Sequence, residues 1–150
     1  PRDPVLLTML LTDNPALTLQ RLRASSAEVN RAEAAVRAQP EPPGSDSAAV
    51  RHWLAAVGGA ADDLLHLWRL RTGAAAPWAA EVEAIRRRGD PLDRGALAVT
   101  GNDLLQSGVP PGPELGRILD RLLDRVLDEP ALNNRDALLE LARSLAGGSQ

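Results

Sequence analysis

The chain has 150 residues, 44% hydrophobic and 25% charged, which matches one ordinary globular domain and excludes wholesale disorder. It has no cysteine, which excludes disulfides, thiolate chemistry and cysteine-ligated zinc, and no apolar run approaches the about 18 residues of a membrane span. The net charge of −3 lacks the overall basicity of a free-standing nucleic-acid binder, so RNA would have to be held by a local patch. Every Lys/Arg position is Arg. Arginine suits bidentate phosphate contacts, but an Arg- and Ala-rich, Lys-free chain also matches plain codon bias, the simpler reading. Aromatics are three Trp alone, so the core is expected from Leu, Val, Ile and Ala. Pro1-Arg2-Asp3-Pro4 lacks the layout of a signal peptide. The missing initiator Met reads as a piece of something longer, and the lack of cysteine fits a reducing, cytoplasmic setting.

In chain order, Asp3-Pro4 and Asn14-Pro15 each set a capping residue before proline at the first helical position. The first predicts a helix over Val5 to Leu11, the second one over Ala16 to Arg23. Ser25 and Glu28 have capping-box spacing and open a helix with an expected apolar face of Val29, Ala32 and Val36, ending near Gln39. Residues 40–47 form a Pro/Gly/Ser loop. Val50, Trp53, Leu54 and Val57 then repeat at helical spacing up to Gly58-Gly59. The next helix, Asp62 to Arg71, has a broad apolar face of Leu64, Leu65, Leu67 and Trp68 and ends at Gly73. Pro77 opens another, with Trp78, Val82 and Ile85 inward and Arg86, Arg87 and Arg88 in its last turn.

In the last third, Thr100 and Asp103 have capping-box spacing before a short helix that ends at Gly108. Pro110-Pro111-Gly112-Pro113 is a rigid turn into a long helix. Its stripe of Leu115, Ile118, Leu119, Leu122, Leu123, Val126 and Leu127 fits the 3.6 period, and its outer face carries Glu114, Arg117, Asp120, Arg121, Asp124, Arg125 and Asp128. Pro130 stops it, and Asn133 is expected to cap a final helix. The expected fold is all-α, a bundle of about eight short helices. Its organisation reads as an N-terminal helical segment (1–39), the 40–47 loop, a helical body and tail (48–146) and a fraying end (147–150). The loop reads as a hinge between two subdomains, with one continuous bundle equally compatible.

No Gly-x-Ser-x-Gly, Walker A or dinucleotide glycine motif occurs, so no catalytic residue is assigned. Asp62, Asp63 and His66 lie one turn apart, but one face of one helix supplies too few ligands for a closed site. The acids are read as first-turn charges, His66 as a surface residue and His52 as a surface or boundary residue. No metal is assigned. The Gly108–Gly116 turn offers a better anion site, because the following helix N-terminus presents free N–H groups, Gly112 permits close approach and Arg117 lies one turn inside. Pro113 removes one donor and Glu114 adds an acid there. A plain helix–helix turn, with Gly116 allowing close packing, is the competing reading. Arg86, Arg87, Arg88 and Arg94 form the densest positive patch, either a solvated helix end or phosphate contacts that carry no sequence information. The three tryptophans are read as core.

The segment Leu97-Ala98-Val99-Thr100-Gly101-Asn102-Asp103-Leu104-Leu105, then Gly108 to Leu119 and Asn133 to Leu141, resembles the C-terminal region of bacterial tRNA nucleotidyltransferases, the CCA-adding and poly(A) polymerase family. Arg21-Leu22-Arg23, Ser26-Ala27-Glu28 and Gly44-Ser45-Asp46 before Val50–Leu54 look like its upstream stretches. The family's Gly-Ser motif with its aspartate pair, its Glu-Asp-x-x-Arg motif and its HD pair are absent, and Val36 to Gln39 contains no histidine. The resemblance implies a helical body and tail that position tRNA while chemistry, with Mg and nucleotide, takes place in a head domain absent from this chain. Gly112, Gly116 and Arg117 match the tail pattern.

The expected function is thus tRNA or other structured RNA held by backbone and shape. Arg86, Arg87, Arg88, Arg94, Gly112, Gly116, Arg117 and Arg121 are the candidate contacts, and the partners are RNA, the parent's own head and, as an option, a second copy. The alternative is a protein-interaction or dimerisation module. No cofactor is assigned to this chain.

Overall fold

The computed structural model describes residues 3–147, and among them every regular element is helical. The chain divides into two compact units, Pro1–Ala84 and Ile85–Gln150. The 40–47 loop lies inside the first unit, and the division falls within a helix.

In the first unit, α1 (Pro4–Leu11) is capped by Asp3, whose carboxylate accepts from Val5 N at 2.9 Å. Asn14 caps α2 (Pro15–Arg21) through Leu17 N at 3.0 Å, and the Ser25/Glu28 capping box opens α3 (Ser26–Arg37). Prolines at N1 forfeit only donors the first turn leaves unused. The second helix stops at Arg21, short of the expected Arg23, because Arg23 turns left-handed at φ 56° and Ala24 N donates back to Leu19 O. Val5, Leu6, Met9, Leu19, Val29, Ala32, Ala35, Ala60 and Leu67 form one core. The buried face of α3 is Val29, Ala32 and Ala35, not Val36. Val36 is 57% exposed on the rim of an open cleft with Asp13, Pro15 and Glu33.

Asp46 caps α4 (Ser47–Val57). A 3-10 turn, Gly58–Ala60, leads into α5 (Ala61–Thr72), and Gly73 closes that helix at φ 74°. Trp53 and Trp78 are buried and Trp68 is half-buried. Trp78 meets both of the others edge-on, at ring separations of 6.3 and 4.8 Å. The sixth helix, α6 (Ala79–Arg88), carries the boundary between the units; Val82 before it and Ile85 after it are both fully buried. Ser47 Oγ donates to Glu81 at 2.5 Å, which ties the start of α4 to α6.

The second unit holds α7 (Gly101–Gln106), α8 (Pro113–Asp128) and α9 (Arg135–Gly147), with 3-10 turns at Arg94–Ala96 and Pro130–Leu132. Its core is aliphatic: Leu97, Val99, Leu104, Val109, Ile118, Leu122, Val126, Leu138, Leu139 and Ala142. The stripe expected on α8 is consumed here, with Leu115, Leu119 and Leu123 packed against the core at its edges. Asn134 caps α9, accepting from Ala137 N at 2.9 Å. The expected cap, Asn133, instead spans the 96–98 segment, accepting from Ala98 N at 2.8 Å and donating to Ala96 O at 2.9 Å. A side-chain amide can satisfy one donor and one acceptor at once, which a helix cap does not require. Gly147 is the last residue of α9, and the rest of the expected fraying end, 148–150, lies outside the described residues, as do Pro1 and Arg2.

One ion pair joins three helices of the first unit. Asp63, 5% exposed on α5, accepts Arg31 Nε at 2.7 Å and Nη2 at 2.5 Å, and Asp3 accepts the same guanidinium at 2.8 Å. Bonding to Asp63 and Asp3 holds Arg31 above its ordinary pKa. Removing Arg31 strands a buried carboxylate, a costlier change than removing both partners. Arg31→Met is expected to lower stability by about 1–3 kcal/mol in urea unfolding, and Arg31→Met with Asp63→Met to recover much of that loss.

Candidate functional site

Arg86, Arg87 and Arg88 form the exposed last turn of α6, where cations favour the negative end of the helix dipole. Arg88 turns back onto Asp90, with Nε to Oδ1 at 3.1 Å and Nη2 to Oδ2 at 3.0 Å. Gly89, at φ 68°, makes that turn. Arg94, in the 3-10 turn, reaches α8 and donates from Nε to Asp120 at 2.6 Å. The Asn133 clamp holds the 96–98 segment that follows. Thus Arg94 joins Gly112, Gly116, Arg117 and Arg121 on or against α8, while Arg86–Arg88 sit on α6.

The helix N-terminus at Gly112 has no side-chain cap, and its residue is at φ 117°, ψ −160°, a region only glycine adopts without strain. Leu115 N already donates to Gly112 O at 3.2 Å, Pro113 has no N–H, and Glu114 pairs with Arg117 at 2.7 Å. The pair offsets the acid that the sequence sets at this N-terminus. Gly116 is not a close-packing glycine: a Cβ there would meet nothing within 4 Å. The close approach is at Gly101, where a Cβ would lie 3.6 Å from Leu115 and 3.9 Å from Leu119. Arg121 is exposed and makes no ion pair among the described residues, and neither does Arg125, one turn on, which the sequence pattern places only on the outer face. Its signal was the i, i+4 spacing from Arg121.

Asp62 and His66 are exposed, whereas the carboxylate of Asp63 is taken by Arg31. Among the described residues no group of three His, Cys, Asp or Glu side chains could hold a metal ion. No helix of the described residues is long and apolar enough to cross a membrane.

Fold and candidate residues together define an all-α module whose sequence-predicted site residues are exposed arginines and the glycines near the start of α8. Residues 5–142 match the family model for tRNA nucleotidyltransferase domain 2, and the chain belongs to that family. No curated protein and no solved structure matches the chain significantly.

Two consequences concern stability. Gly116→Ala is expected to stabilise α8 by about 0.5–1 kcal/mol, since the site is open and alanine is the better helix former; Gly112→Ala is expected to destabilise by about 1–3 kcal/mol. Urea midpoints check both. The second concerns Asp103, whose carboxylate accepts Thr100 Oγ1 at 2.7 Å, Thr100 N at 2.8 Å and Arg135 Nη2 at 2.7 Å. The Thr100 hydroxyl first, then Arg135, hold it well below the usual carboxylate range. A depressed folded-state pKa gives stability that is present above the unfolded value of about 4 and lost as pH falls below it. The unfolding midpoint is expected to drop below about pH 4, and Asp103→Asn to lower it at neutral pH and flatten that acid decline.

Proposed function

We propose that this chain is the RNA-holding part of a tRNA nucleotidyltransferase, which positions tRNA by backbone and shape while a head domain elsewhere in the parent protein performs the transfer. The match of residues 5–142 to the family's second domain carries the reading. The exposed arginines of α6, of the 3-10 turn after it and of α8 support it: Arg86, Arg87, Arg88, Arg94, Arg117 and Arg121 supply the phosphate contacts, and Gly112 and Gly116 leave the start of α8 open to a backbone. Residues 85–150 carry nine arginines against ten acids, so binding depends on where the cations stand and on charge supplied by the rest of the parent. Magnesium and nucleotide belong to the head. The parent adds CCA or poly(A) in the cytoplasm, and this chain alone is inactive.

A second reading, a protein-docking or dimerisation module, is favoured by leucines left in solvent, Leu11 at 79% and Leu22 at 69% exposure. Concentration-dependent sedimentation would support it, and a strict monomer would count against it.

The test is tRNA binding by this chain over a salt series, alongside a variant with Arg86, Arg87 and Arg88 replaced by Ala. Affinity is expected to fall with salt, with a slope set by the phosphates engaged, and the slope to shrink by about three in the variant. No binding at low ionic strength, or binding indifferent to salt, sinks the reading.

A further inference from the structure

Along the α8–α9 face runs a groove in two overlapping stretches of about 480 and 470 Å³, both lined by Arg125, Leu141 and Ser144. Its floor is aliphatic: Leu132, Leu141 and Leu145 are only partly buried against the core of the second unit. On the α8 wall stand Arg121 and Arg125, neither of which makes an ion pair among the described residues. Other α8-side cations are engaged, Arg94 by Asp120 and Arg117 by Glu114. At the far end lie Glu129 and Glu140, and Asp124 shares the wall with the arginines.

This distribution narrows the ligand. Two arginines among three acids make a poor track for a run of bare phosphates. They fit a ligand that brings anions to one wall, a flat apolar face to the floor and N–H donors to the far end. One nucleotide of single-stranded RNA has that polarity. Arg121 and Arg125 are one helical turn apart, about 6 Å along the axis, close to the separation of the phosphates on either side of one nucleotide. Guanidinium groups bind phosphate in a fork. A carboxylate accepts hydrogen bonds and donates none, so Glu129 and Glu140 favour the exocyclic amines of cytosine, adenine and guanine over uracil, whose only base donor is its ring N3–H and whose two carbonyls repel them.

We propose that the α8–α9 groove seats one unpaired, amine-bearing nucleotide of the bound RNA, with its flanking phosphates on Arg121 and Arg125, its base on Leu141 and Leu145, and its amine on Glu129 or Glu140. The proposal rests on the RNA-holding function above and adds a base preference that backbone recognition alone does not give.

The test uses the whole chain, labelled for NMR, titrated with the RNA tetramers rC4 and rU4, with tRNA binding measured in parallel. Expected is that rC4 shifts amide resonances of α8 and α9 around Arg125 and Leu141, and that rU4 binds about tenfold more weakly, the cost of one lost hydrogen bond to a charged acceptor. Glu129→Gln with Glu140→Gln should abolish that preference, and Arg121→Ala with Arg125→Ala should lower the salt slope for tRNA by about two. All four side chains are exposed, so these variants should unfold at wild-type midpoints. Equal binding of the two tetramers, shifts confined to other elements, or tRNA binding whose slope ignores the arginine pair would each overturn the groove while leaving the RNA-holding function standing. Failure of the chain to bind tRNA at low salt overturns both. Groove resonances that shift with protein concentration alone, and not with RNA, assign the groove to a second copy and overturn it as well.

Discussion

Ile118, Leu122 and Val126 stand four residues apart on α8 with no exposed surface, and the C-terminal unit is arranged around them. A helix stripe of this width must be covered, and with only three tryptophans in the chain the cover is aliphatic. Leu104 comes from α7, Leu138 and Ala142 from α9, and Leu97 and Val99 from the segment before α7. Close packing of branched side chains fixes the distance and rotation of α8 against its neighbours. That in turn decides which α8 residues face solvent. The alternating arginines and acids of its outer face are what remains once the stripe is buried, and the candidate RNA contacts are drawn from that remainder.

Polar clamps then hold the irregular parts. The segment between α6 and α7 has little regular structure, so its backbone groups need partners from elsewhere. Asn133 supplies two of them, Arg94 ties the preceding turn to Asp120, and Arg135 ties the α7 N-terminus to α9 through Asp103. Arg94, one of the candidate contacts, thus has a local structural role. Exposed pairs of this kind are weak and exchange readily. In the first unit the comparable bond is Arg31 with Asp63, which is more demanding because one partner is out of water.

The chain belongs to the tRNA nucleotidyltransferase domain 2 family, and the surface of its described residues offers cations, helix ends and a groove of mixed polarity. Helices packed on an aliphatic core stay rigid and keep their surface groups in well-defined positions.

The helices themselves were legible in the residues. Caps at Asp3, Asn14, Ser25 and Thr100 act within four residues of where they stand, as does the proline at each N1 position, and the α8 stripe repeats without a break. These are local signals, and local chemistry decides them. What depended on other elements was not legible. Val36 has the spacing of a buried residue but stands 57% exposed on the rim of an open cleft, while Ala35 is buried in its place. Asn133 and Asn134 are equally good caps in isolation, and only the approach of the 96–98 segment gives the first a different role. Gly116 looks like a packing glycine until its neighbours are known, and Asp63 like a first-turn acid until Arg31 arrives from 32 residues away. The sequence by itself determined helix identity, the caps at Asp3, Asn14, Ser25 and Thr100, and the family; the tertiary structure alone decided which side chains are covered, paired or exposed, because those outcomes depend on distances between segments far apart in the chain.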